Sequence, residues 1–107
     1  MGNRTLNELA TECHSIAVQH GFWDHMIVDG KDNRSIWPEK IALIHSEASE
    51  MLDALRSGNE SELILECADL MIRLLDFCGA RKIDIEDAVQ FKMAVNRERE
   101  YLHGRKF

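Results

Sequence analysis

The stretch that decides the fold reads Glu47-Ala-Ser-Glu50, then a polar break at Ser57-Gly-Asn59, then Glu66-Cys-Ala-Asp69. Each half places two carboxylates three residues apart, so both carboxylates lie on one face of a helix. The break is short enough to fold the second helix back along the first as an antiparallel hairpin. The two acidic pairs then face each other, where two charges ~5 Å apart repel by roughly 3 kcal/mol at an effective dielectric of about 20.

Such an acidic group is stable if it is solvated, partly protonated or occupied by a divalent cation. Its all-oxygen ligand set favours Mg²⁺ or Mn²⁺ over zinc. The alternative for Glu47 and Glu50 is an ordinary solvated helix surface, whereas Glu66 and Asp69 have apolar neighbours, where charges need partners. A di-iron site is a rival for the same residues, but it uses Glu-x-x-His, and neither Glu50 nor Asp69 is a histidine.

Length and composition indicate one soluble domain, residues 1–107, with 45% hydrophobic and 30% charged residues. The formal net charge of −6 argues against non-specific nucleic-acid binding. The sequence has no apolar run long enough to cross a membrane, and its three cysteines have no zinc-site spacing. We therefore expect a cytoplasmic protein with reduced thiols and no membrane partner.

Four helices are predicted, and together they form an all-α, four-helix bundle-like protomer. Thr5 and Glu8 form a capping box, Pro38 suits a first helical turn, and Asn59 and Asp84 are further N-cap residues. Gly79 is the expected end of the third helix. The predicted helices span residues 5–21, 38–56, 60–78 and 85–102.

The third helix is apolar almost all round, which indicates burial on most sides. Its polar residues are Glu66, Asp69, Arg73 and Asp76, whose spacing of three, four and three places them in one narrow stripe. Three partner helices do not cover such a helix in a chain this short, so we expect a homo-oligomer.

Two further groups of residues are candidates for ligand binding. Trp23 and Trp37 flank the longest loop, where they either anchor the loop to the core or stack on a planar ligand as a base pocket. Lys92, Asn96 and Arg99 form a polar stripe on the fourth helix. This stripe is either a solvated face with favourable charge near the helix end or a clamp for phosphate oxygens.

The order of the motifs resembles the MazG-like, all-α nucleoside triphosphate pyrophosphohydrolases. The resemblance runs from about Ile16 to Phe107, and ExxE followed by ExxD and K-xxx-N-xx-R is a far stronger signal than ExxE alone. The matching segments are Gly21-Phe-Trp-Asp24, Glu39-Lys-Ile-Ala-Leu-Ile-His-Ser-Glu-Ala-Ser-Glu50, Glu66-Cys-Ala-Asp69, Ile72-Arg-Leu-Leu-Asp76, Ile83-Asp-Ile-Glu86, Lys92-xxx-Asn96-xx-Arg99 and His103-Gly-Arg-Lys-Phe107.

The resemblance implies hydrolysis of a (deoxy)nucleoside triphosphate between its α- and β-phosphates, giving monophosphate and pyrophosphate, with nucleotide-pool cleansing as the expected role. It implies Mg²⁺, with Mn²⁺ as a substitute, on Glu47, Glu50, Glu66 and Asp69. Lys92, Asn96 and Arg99 are implied to contact the phosphates, and the expected catalytic residues are Glu47, Glu50 and Lys92. The resemblance also implies a homodimer or a tetramer built from dimers, with sites near the subunit interfaces.

Several questions stay open from the sequence. The general base is expected to be an acid of the second helix, either Glu47 or Glu50. A non-catalytic helical oligomerisation module that retains the fold and the metal site is an alternative function. A narrower enzyme is another, acting on dUTP or dCTP or resembling phosphoribosyl-ATP pyrophosphohydrolase.

Overall fold

The computed structural model describes residues 3–99, and within them the chain forms four helices and one small hairpin. The helices are α1 (Leu6–Gln19), α2 (Ile36–Arg56), α3 (Glu60–Arg81) and α4 (Ile85–Arg97). A 3₁₀ turn at Asp24–Met26 and an antiparallel pair, β1 (Ile27–Val28) and β2 (Lys31–Asp32), occupy the α1–α2 connection. The predicted all-α class is confirmed, and the two-residue strands are an addition that the sequence did not predict.

Three of the four helices begin where their predicted caps place them. Thr5 and Glu8 make the reciprocal capping box at α1, and the Asn59 side chain accepts from the Glu62 N–H at α3. The Asp84 carboxylate accepts from the Asp87 N–H at α4. Helix α2 begins at Ile36, two residues before the predicted Pro38. A proline is tolerated there because N–H groups of the first turn have no partner within the helix.

The predicted end of the third helix at Cys78 is wrong. Helix α3 continues to Arg81, and Lys82 ends it in the left-handed conformation with φ of 56°. Gly79 therefore lies inside the helix, where a Cβ atom would stand 2.5 Å from the backbone oxygen of Ala10 in α1. This glycine allows a close approach between α1 and α3 rather than ending a helix.

The fourth helix is shorter than predicted. It ends at Arg97, and Glu98 and Arg99 are not helical. Residues 100–107 lie outside the part of the chain that the structure describes, so the predicted helix end at Leu102 and the motif from His103 to Phe107 are not placed.

Helix α3 is the central element, because both α1 and α2 pack along it, while α4 packs mainly against α1. Ala10, Leu75 and Cys78 are the buried centre of the α1–α3 contact. The α2–α3 hairpin turns at Ser57–Asn59, where Gly58 has a φ of 72° that few other residues adopt readily. The hairpin predicted from the acidic stretch is therefore present.

One protomer leaves much of its apolar surface exposed. Ile64 and Leu65 of α3 retain 61% and 60% of their accessible surface, and Phe91 of α4 retains 65%. The expected burial of α3 on most sides is thus not reached within a single chain. None of the helices within residues 3–99 combines the length and apolar character that crossing a membrane requires.

Candidate functional site

Three acidic side chains of the α2–α3 hairpin converge. Glu47 projects from α2, and Glu66 and Asp69 project from successive turns of α3. One carboxylate oxygen from each lies within 4.8 Å of the other two. Donor atoms that share one Mg²⁺ or Ca²⁺ ion at about 2.1–2.4 Å lie no farther apart than about 4.8 Å, so the arrangement fits a single hard cation.

The fourth predicted ligand is not part of this group. Glu50 lies one turn beyond Glu47 on α2 and is exposed. The structure brings together three of the four predicted acids, and the ligand role of Glu50 stays a prediction. Its position leaves it one turn from the group.

The charge of the acidic group raises the pKa of one of its members. A hydrogen bond with Glu62, loss of hydration and the neighbouring charges of Asp69, Glu62 and Glu47 together raise the pKa of Glu66 from 4.5 to about 7. Protonation of Glu66 therefore relieves part of the repulsion near neutral pH. A divalent cation on these oxygens would take the place of that proton.

This shift predicts how stability depends on pH in the metal-free protein. The pKa of Glu66 is higher in the folded protein than in the unfolded chain, so protonation of Glu66 stabilises the fold. This contribution to the free energy of unfolding is complete below pH 4.5 and is lost as the pH rises through about 7. Glu66→Gln keeps a hydrogen-bond donor for Glu62 but does not titrate. We expect the Tm of this variant to rise relative to the Tm of the wild type as the pH increases from about 5 to about 8.5. Differential scanning fluorimetry with chelator checks this, and parallel Tm curves would contradict it.

Arg73 is the cation nearest to the acidic group in the residues that the structure describes. It lies one turn beyond Asp69 on α3, and its Nε donates to Glu47 Oε1 at 2.8 Å. The Glu47 side chain is only 13% exposed and that of Arg73 is 34% exposed. This ion pair joins α2 to α3 and compensates part of the charge on the three acids.

A pocket of about 270 Å³ adjoins the acidic group. The apolar part of its wall is formed mainly by α1, together with Phe22 and Ile72. The charged part of its wall contains acids of α2 and α3 together with Arg73. The lining residues are Cys13, Ile16, Ala17, Phe22, Glu47, Asp69, Ile72, Arg73 and Asp76. The pocket thus joins an apolar cleft to the site where a cation would lie, and the polar stripe predicted on the third helix supplies three of its side chains.

The structure places the two tryptophans in the packing between the loop and the helices. Trp23 is buried, and its Nε1 donates to Asp76 Oδ1 at 3.0 Å. Trp37 lies 5.7 Å from the Trp23 ring and 6.0 Å from the Phe77 ring, between ring centroids. Neither ring is among the described residues that line the pocket, and Phe22 is the aromatic residue that is. These are the contacts that the anchoring alternative expects, and a base-pocket role for either ring stays a prediction.

Asp76 is the buried centre of this packing. It accepts from Trp23 and lies 2.9 Å from His14 Nδ1 of α1. Lys40 is also buried, donates to the Phe22 carbonyl at 2.6 Å and stands 4.5 Å from the Trp23 ring centroid. Burial lowers the pKa of Lys40, and the Asp76 charge acts against that shift. The loop before α2 is therefore fixed to α1 and α3 through one carboxylate.

The predicted phosphate-binding residues lie elsewhere on the protomer. Lys92 and Asn96 are exposed on α4, and Arg99 is exposed just beyond its end. The ion pairs found within residues 3–99 do not involve Lys92 or Arg99. A single protomer therefore presents these side chains to solvent, and their role stays a prediction.

Sequence reasoning assigned no role to Arg73 and Asp76, although both belong to the polar stripe that it identified on the third helix. Their sequence signal is that they are charged residues in an otherwise apolar helix.

Searches against protein-family models, curated proteins and solved structures found no match for this chain.

Proposed function

We propose that this chain is a Mg²⁺-dependent nucleoside triphosphate pyrophosphohydrolase of the MazG-like, all-α type. The observation that carries the proposal is the convergence of Glu47, Glu66 and Asp69 at the edge of a pocket with an apolar wall. The acids suit a hard cation that accompanies phosphates, and the apolar wall suits the uncharged end of a nucleotide. The motif order in the sequence supports the same reaction.

In the proposed reaction, water attacks the α-phosphorus, the bond to the bridging oxygen breaks, and pyrophosphate leaves. Mg²⁺ on the three acids would offset the phosphate charge and make a bound water more acidic. Glu50 is the acid of α2 that lies beside this group without joining it, and it is our candidate for accepting the proton of the attacking water. Lys92, Asn96 and Arg99 would hold the charge that develops on the leaving pyrophosphate.

Self-association is part of the proposal. Large apolar residues on three helices, including Leu55, Leu65 and Phe91, each retain 60% or more of their accessible surface, and exposed apolar patches of this kind mark contact surfaces. A second copy of the chain would cover it as a homodimer, or as a tetramer built from dimers. The proposal requires this assembly to bring the basic side chains of α4 in one copy to the acidic group of another. Sedimentation or light scattering at several concentrations measures the state directly.

The decisive test is incubation with a panel of standard and modified nucleoside and deoxynucleoside triphosphates, with and without Mg²⁺. The expected products are monophosphate and pyrophosphate, formed only with metal. Orthophosphate as the first product would contradict cleavage between the α- and β-phosphates. A folded, oligomeric and metal-binding protein that turns over no member of the panel would favour the alternative, a non-catalytic oligomerisation module.

Lys92→Ala tests the basic stripe separately from the acids. We expect nucleotide binding to weaken by about tenfold, because one charge-assisted hydrogen bond is lost, while Mn²⁺ binding without nucleotide changes less than about twofold. Calorimetric titration with a non-hydrolysable triphosphate analogue measures the nucleotide affinity, and titration with Mn²⁺ alone measures the metal affinity. Lys31→Ala, which removes an exposed lysine of β2, is the control. Equal losses of metal and nucleotide affinity would argue against a phosphate contact.

A further inference from the structure

Arg73 stands where the acidic group meets the pocket. Among the described residues that line the pocket it is the one cation, and the carboxylates of Glu47, Asp69 and Asp76 share that lining with it. Its guanidinium uses one N–H, on Nε, for Glu47. A guanidinium has five N–H donors, and within residues 3–99 no protein acceptor takes the other four. Most of its hydrogen-bonding capacity is therefore left for solvent or a ligand.

The geometry of the guanidinium suits a phosphate. Its planar set of donors can bind two oxygens of one phosphate at once, and it stays charged at every physiological pH. In the pocket it lies on the same helix face as Asp69, one turn away, so a phosphate bound beside the acids would lie within reach of its side chain.

Glu47 takes part both in the acidic group and in the ion pair with Arg73. It belongs to the group of three acids, and it also accepts the hydrogen bond from Arg73. A carboxylate has enough lone pairs for both partners, but a guanidinium beside it repels a divalent cation. The ion pair therefore opposes cation binding as long as Arg73 remains on Glu47.

We propose that Arg73 is a phosphate-binding residue that is held on Glu47 in the empty site and transfers to a phosphate oxygen when the metal-bound nucleotide enters. This inference rests on the proposed function and adds a residue and a coupling to it. The transfer removes a positive charge from Glu47 as the cation takes that carboxylate. Cation and phosphate then bind cooperatively, and by linkage each strengthens the affinity for the other by the same factor.

The proposal predicts opposite changes in two affinities. Arg73→Gln should tighten Mn²⁺ binding in the absence of any phosphate by about threefold or more, because a repelling charge is removed. The same variant should weaken the binding of inorganic pyrophosphate at saturating Mn²⁺ by about tenfold or more. Electron paramagnetic resonance of free Mn²⁺ gives the first affinity, and calorimetry gives the second.

A merely structural ion pair would behave differently. Loss of a tie between α2 and α3 would weaken both affinities together, and this result, or no change in either affinity, would overturn the proposal. Arg97→Gln, an exposed arginine of α4, controls for net charge. Arg73→Lys keeps the charge and removes the planar donor set, so it should retain the wild-type Mn²⁺ affinity and lose pyrophosphate affinity. If Arg73→Gln does not fold, a lysine variant that binds pyrophosphate as tightly as the wild type overturns the proposal.

The result also separates this inference from the proposed function. Mn²⁺ binding and nucleotide turnover by the wild-type protein test the metal centre and the reaction. The ratios of the Mn²⁺ and pyrophosphate affinities between the Arg73→Gln variant and the wild type test the role of Arg73. A wild-type protein that binds Mn²⁺ and hydrolyses nucleotides, with an Arg73→Gln variant unchanged in both affinities, would leave the reaction standing and remove the role of Arg73.

Discussion

Asp69→Asn is expected to lower the proposed metal-dependent pyrophosphohydrolase activity by about 10³-fold or more, while the metal-free protein keeps or gains thermal stability. Asp69 contributes one of three oxygens that fit a single cation, and an amide oxygen holds that cation without the charge of a carboxylate. A bound metal supplies several kcal/mol of charge stabilisation in such reactions, which corresponds to this loss of rate. Stability is retained because Asp69 is exposed and its charge repels Glu47 and Glu66.

Activity with saturating Mg²⁺ and Mn²⁺, together with a Tm measured in chelator, checks both halves of this prediction. Asp53→Asn is the control, since Asp53 is an exposed acid of α2 that lies outside the acidic group. Loss of folding in the Asp69 variant would indicate that the acids are structural. A variant that retains more than about a tenth of the activity would contradict a ligand role.

Glu50→Gln separates the two roles that acids can have here. If Glu50 is the base rather than a ligand, its variant should lose turnover and keep Mn²⁺ affinity, whereas Asp69→Asn should lose both. Equal loss of Mn²⁺ affinity in the two variants would instead return Glu50 to the ligand set implied by the resemblance.

Local hydrogen bonding explains why the helix starts could be predicted. The Thr5 box and the Asn59 and Asp84 caps each satisfy N–H groups within three residues, so the sequence contains the whole interaction. Gly79 shows the limit of this reasoning. A glycine that ends a helix and one that admits a neighbouring helix look the same in sequence, and only the position of Ala10 on α1 distinguishes them.

The acidic group could also be predicted only in part. Three-residue spacing on two helices and a short turn are enough to bring Glu47 near Glu66 and Asp69. The exclusion of Glu50 depends on how α2 is rotated against α3, which packing decides and spacing does not. The pairing of Arg73 with Glu47 joins residues 26 positions apart, so the stripe on α3 identified the arginine but not its partner.

Asp76→Ala is expected to lower the free energy of unfolding by about 3 kcal/mol, the largest effect on stability that we predict. The buried carboxylate accepts from Trp23 Nε1 at 3.0 Å and lies 2.9 Å from His14 Nδ1. Alanine would leave these groups without an acceptor, and it would remove the negative charge that favours protonated Lys40. Breaking a buried polar network in this way costs far more than removing a surface acid.

Urea denaturation followed by far-ultraviolet circular dichroism measures this loss, and tryptophan emission reports whether Trp23 becomes exposed to water. Asp76→Asn keeps an acceptor oxygen of the same size, so it should cost about 1 kcal/mol and leave the emission maximum unchanged. Asp53→Ala should cost less than about 0.5 kcal/mol. If Asp76→Ala were no more costly than Asp53→Ala, Trp23 would not depend on this anchor. The anchoring interpretation of Trp23 would then lose its energetic basis, and the predicted base-pocket role of the ring would become the better supported alternative.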